Sequence, residues 1–79
     1  MTTNTAATAH HASHHLSIAV LMAHDAKRHA SNAEATATYA KQDGPMTLKA
    51  RQDIRVDIGR ARLALRNALA ALDNADDAL

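Results

Sequence analysis

The sequence predicts an all-α fold, an antiparallel hairpin of two long helices, and three observations carry that prediction. Apolar residues recur at alternating steps of three and four through two long segments, the spacing that lines one side of a helix. A single Gly44-Pro45 break separates the segments. Twenty of the 79 residues are alanine, the residue with the highest helix propensity.

Residues 1–9 are rich in Thr and Ala and carry nothing that would hold them in place, so a flexible N-terminal arm is expected there. This start lacks a basic n-region and an apolar h-region, and no signal peptide is expected. Residues 10–72 form the predicted hairpin domain. In its first helix, about residues 13–42, Ala9, Ala12, Leu16, Ala19, Ala23, Ala26, Ala30, Ala33, Ala37 and Ala40 make an unbroken seam. An alanine seam lets two helix axes approach at the close end of the usual 8 to 10 Å. A second stripe of the same helix runs through His11, His15, Ile18, Met22, Asp25, His29, Asn32, Thr36 and Tyr39. Its apolar part, Ile18 to Met22, offers contact to a further neighbour, which favours a bundle over an isolated pair.

Asp43-Gly44-Pro45 ends the first helix. Gly44 suits the left-handed position after a helix, and Pro45 cannot continue the hydrogen-bond ladder. Thr47 is the expected N-cap of the second helix, about residues 47–72. A loop this short joins antiparallel neighbours. In the second helix Ile54, Ile58, Ala61, Leu65, Ala68, Leu69 and Leu72 share one side and are predicted to face the core, with Val56 and Leu63 roughly opposite. The acidic tail, residues 73–79, is expected to fray, with Asn74 as a stop.

A chain below roughly 80 residues rarely stabilises itself through its core alone, and this one has no Phe or Trp and one Tyr. It has no cysteine, hence no disulfide and no thiolate metal site; cytoplasmic residence fits that. Self-association is the remaining staple, and the hairpin is expected to dimerise into a four-helix bundle. Leu16, Ala19, Ala23, Ala26, Ala30, Val56 and Leu63 are the expected oligomer interface. No apolar run approaches the ~18 residues of a membrane span, so no membrane partner is expected.

The formal net charge is only +1, but its distribution is uneven. Lys49 to Arg66 holds six cations against Asp53 and Asp57, whereas Asp73, Asp76 and Asp77 follow without a cation. Arg51, Arg55, Arg62 and Arg66 fall within a sector of about 60° and span ~22 Å of helix. Guanidinium groups in such a row suit carboxylates or phosphates. A solvated charged face is the plainer explanation, and two details weigh against it. Cations early in a helix and acids late both oppose the helix macrodipole; an acidic partner offsets that, as does antiparallel pairing of two such helices. Gly59 costs about 1 kcal/mol inside a helix and lies beside the stripe, where a missing Cβ permits close approach of a partner. The candidate partner-binding set is therefore Arg51, Arg55, Gly59, Arg62 and Arg66. No aromatic side chains interleave the stripe to stack on bases, and the net charge is low for a nucleic-acid binder. An acidic protein surface is thus preferred to nucleic acid.

The histidines supply the alternative. His10 with His14, and His11 with His15, stand four apart on one helix, a spacing that can chelate zinc or nickel. Histidine also titrates near neutral pH, so a metal- or pH-responsive bundle is the second reading and a structural subunit of a heteromeric complex the third. No cofactor is expected under the leading reading. Gly-rich phosphate loops and supported Ser/His/Asp sets are missing, and Glu34 is the lone glutamate, so catalysis is not expected. The sequence reads as a small, non-enzymatic regulatory or inhibitory interaction protein, of the kind carried by phages or plasmids.

Overall fold

A computed structural model describes residues 5–42 and 44–79. The chain is two helices, α1 (Thr5–Gln42) and α2 (Leu48–Ala78), packed against each other along their lengths. The hairpin is a rod whose Cα atoms span 65 × 14 × 11 Å. Both helices run further than the sequence suggests. α1 begins at Thr5 rather than near residue 13, and α2 continues to Ala78 rather than ending at residue 72. The reason for the second extension is visible in the packing: Ala71 and Ala75 lie buried against α1, so Asn74 sits in a turn held by its neighbours. Residues 1–4 of the expected arm, and Asp43 of the loop, lie outside the described residues.

The turn follows local chemistry. Gly44 has φ +105°, in the left-handed region where a Cβ is penalised. Thr47 takes an extended conformation, and its hydroxyl accepts a hydrogen bond from the Ala50 backbone N–H at 3.1 Å. That bond satisfies one of the donors left free at a helix start. The Arg51 N–H reaches the Thr47 carbonyl at 3.0 Å, the first backbone bond of the helix.

The seam between the helices is alanine on both sides. Its buried members are Ala12, Ala19, Ala26 and Ala33 of α1 and Ala64, Ala68, Ala71 and Ala75 of α2. Half-buried residues complete the pattern: His15, Met22, His29 and Thr36 in α1, and Ala50, Ile54, Asp57 and Ala61 in α2. Written as heptads, α1 places Ala12, Ala19, Ala26, Ala33 and Ala40 at a and His15, Met22, His29 and Thr36 at d. In α2, Ile54, Ala61, Ala68 and Ala75 are at a and Ala50, Asp57, Ala64 and Ala71 at d.

This arrangement corrects the expected seam of α2. Ala61 and Ala68 face α1 and Ile54 is half-buried, but Ile58, Leu65, Leu69 and Leu72 do not face it; they remain 39%, 51%, 61% and 45% exposed. Two three-four stripes about 85° apart compete for the inner side of α2. The alanine stripe runs from Ala50 to Ala78, whereas the leucine stripe covers only Ile58 to Leu72. Small residues on both helices allow backbone surfaces to meet over the whole length, which multiplies dispersion contacts. The leucines then flank the seam. Among the described residues no side chain of any size is fully buried, so the single hairpin contains little apolar volume.

Candidate interaction surfaces

Around the alanine seam the rod has three distinct sides. The first is the outer edge of α2, opposite α1. Arg55, Arg62 and Arg66 are exposed there, and Arg51, at the e position of α2, is exposed where this edge meets the neighbouring flank. Among the described residues none of them lies within ion-pair distance of a carboxylate. The acids of the same helix half are engaged elsewhere: Lys49 Nζ contacts Asp53 at 2.9 Å, and Asp57 faces His29 at 3.6 Å. Gly59 is exposed on this edge, and a Cβ built on it would meet nothing within 4 Å. Its missing side chain therefore answers no contact within the chain.

The second side is an apolar flank shared by both helices, at the heptad e positions. α1 contributes Leu16, Ala23 and Ala30, with Val20 beside them; α2 contributes Ile58, Leu65 and Leu72, with Leu69 beside them. All are exposed. The expected oligomer-interface residues divide here. Leu16, Ala23 and Ala30 stand on this flank, Ala19 and Ala26 are inside the hairpin seam, and Val56 and Leu63 are exposed on the other side of α2.

The third side is a polar cleft on the opposite flank, lined by Asn32, Thr36, Tyr39, Asp53, Val56 and Arg60 among others. Asp57, on its wall, faces His29 of α1, and the two side chains are 15% and 13% exposed. His29 Nε2 lies 3.6 Å from Asp25 Oδ1, and its buried Nδ1 has no hydrogen-bond partner. The His29–Asp57 pair was not legible as a contact from the sequence, which offers Asp57 to cations of its own helix. The available signal was position: both residues fall on the three-four spacing of their helices' alanine seams.

The histidine cluster occupies one end of α1. His10, His11 and His14 are exposed and His15 is half-buried. The rings of His10 and His11 have centroids 6.2 Å apart, those of His14 and His15 5.4 Å. These are sequence neighbours rather than the pairs four apart, and no group of three or more candidate ligands converges among the described residues. No described helix is long and apolar enough to cross a membrane.

No known protein family, curated protein or solved structure matches this chain.

Proposed function

We propose that this chain is a small, non-enzymatic helical interaction protein, acting as a homodimeric four-helix bundle that presents its arginine edge to an acidic protein surface. The observation that carries this reading is the free state of Arg51, Arg55, Arg62 and Arg66. Four exposed guanidiniums in one row have no carboxylate within ion-pair distance among the described residues, while Asp53 pairs with Lys49 and Asp57 lies inward beside His29. Guanidiniums bind carboxylates with two parallel hydrogen bonds, so a row of them suits a helix or strand rich in Asp and Glu. Gly59, bare and exposed between Arg55 and Arg62, gives a partner room to approach the helix backbone. The lack of aromatic side chains along the edge supports protein over single-stranded nucleic acid.

Capture from an extract of the native host, with and without nuclease, tests this. The expected result is an acidic protein retained after nuclease treatment and lost when Arg62 and Arg66 are replaced by Glu, with helicity unchanged by circular dichroism. Capture by the Glu-substituted chain refutes the reading, and loss on nuclease treatment transfers it to nucleic acid.

A further inference from the structure

We infer that the apolar flank is the seat of a second copy of this chain, packed antiparallel, with the loops at opposite ends and a two-fold axis at the level of Ala23 and Leu65. This rests on the dimeric reading above and specifies its geometry.

The first ground is the state of the single hairpin. Its seam buries alanines only, and its larger aliphatic side chains Leu16, Ile58, Leu65, Leu69 and Leu72 are left exposed on one continuous flank. Leu16 to Ala30 and Ile58 to Leu72 each cover about 21 Å of helix, so the exposed aliphatic side chains of α1 and α2 stand side by side over one stretch of the rod.

The second ground is that the flank is complementary to itself. His29 faces Asp57, and Ala40 and Ala50 line one cleft beside the loop. Counting along antiparallel helices from those two pairs places Leu65 level with a residue between Leu21 and Asp25, and Ala23 is the flank member of that interval. A two-fold axis at this level sets Leu65 on Leu65 of the second copy, Ile58 on Leu72, Ala23 on Ala23 and Leu16 on Ala30. Each outer layer then holds Leu16, Leu72, Ile58 and a single alanine. The other two-fold stacking, with both loops at one end, crowds two Leu16 and two Leu72 into one layer and leaves two Ala30 with two Ile58 in another. Close packing favours the even distribution.

The third ground is charge. Arg55 and Asp76 occupy the same heptad position, ten residues before Leu65 and eleven after it, and both are exposed. Antiparallel stacking brings each Arg55 to Asp76 of the second copy, twice per dimer. The stacking with both loops at one end pairs Arg55 with Glu34 of the second copy instead, but it also sets Lys27 beside Arg62 and leaves Asp76 without a cation.

The chain has no cysteine, so Met46→Cys carries a single spin label next to the loop. From the axis at Leu65, 1.5 Å per residue puts the two labels of an antiparallel dimer about 55 Å apart. Sedimentation equilibrium and pulsed dipolar spectroscopy on the full chain are the readouts. A dimer with labels near that separation is expected. A dimer with labels within about 25 Å overturns the antiparallel geometry while leaving the arginine-edge reading standing, and a monomer overturns the dimer itself. Leu65→Glu is expected to weaken the dimer by roughly a hundredfold or more, through lost burial and like charges meeting on the axis. Asp76→Arg is expected to weaken it roughly two- to thirtyfold, and addition of Arg55→Asp to restore it. Failure of the double exchange to recover affinity refutes the Arg55–Asp76 pairing.

Discussion

Ala64 and Leu63 are adjacent in sequence and opposite in consequence. Ala64 is 3% exposed and faces α1, whereas Leu63 is 57% exposed and points away from it. Ala64→Leu adds three carbons where two helices meet through methyl groups, and the helices must separate or shift. Overpacking of this kind costs typically 1–3 kcal/mol. Leu63→Ala removes the same three carbons from a side chain that is mostly in water, and surface changes of that type stay within about 0.5 kcal/mol. For a domain of this size each kcal/mol moves the melting temperature by roughly 4–8 °C. Ala64→Leu is therefore expected to lower Tm by about 4 °C or more, and Leu63→Ala to move it by less than about 4 °C. Thermal unfolding followed by circular dichroism at a fixed chain concentration checks both. An Ala64→Leu chain that melts at or above the parent temperature would show that the leucine stripe, and not the alanine seam, faces α1.

Three further outcomes follow from the same geometry. His29→Leu leaves the Asp57 carboxylate nearly buried without its neighbour and is expected to destabilise by about 1–3 kcal/mol, whereas His29→Leu with Asp57→Leu is expected to be neutral or stabilising; urea denaturation compares the two. Gly59→Ala meets no atom within 4 Å and is expected to raise stability by about 0.8–1 kcal/mol, while capture of the acidic partner falls if that partner approaches the bare backbone. Arg62→Glu with Arg66→Glu is expected to abolish partner capture with the dimer intact, whereas Arg55→Glu is expected to weaken the dimer in sedimentation.

The elements were legible because they rest on local chemistry. Gly44 and Pro45 interrupt the chain where the structure turns, the Thr47 hydroxyl caps α2, and three-four spacing marks both helices. The inner side of α2 was not legible, because hydrophobicity scores the larger residue and helix pairing selects the longer, smaller stripe. Leu65 outranks Ala64 by any transfer free energy, yet Ala64 belongs to a seam that continues through Ala71 and Ala75. α2 continues past Asn74 for the same reason: Asn74 is a weak helix former, but Ala75 one residue later is buried. For the arginine edge, sequence reasoning placed the residues on one face; that Asp53 and Asp57 turn away from it depends on where Lys49 and His29 lie.

The charge pattern of α2 links the two proposed surfaces. Its cations precede its acids, an order that opposes its own dipole, and that order becomes favourable when a second α2 lies antiparallel beside it. In that arrangement the row of each chain divides between the two surfaces. Arg55 of each copy is drawn to Asp76 of the other, and Arg51 lies towards the ends. Arg62 and Arg66 lie three residues before and one residue after the level of the axis, so the two copies bring four guanidiniums together at the centre of the α2 edge. Asp73, Asp76 and Asp77 bound this patch on either side. In the proposed dimer a basic centre between acidic ends would disfavour long polyanions, which would meet like charge at both ends, and would admit a short acidic segment. In the proposed dimer the same sequence asymmetry that makes each helix suboptimal alone would set the direction of association and limit what the arginine edge can hold.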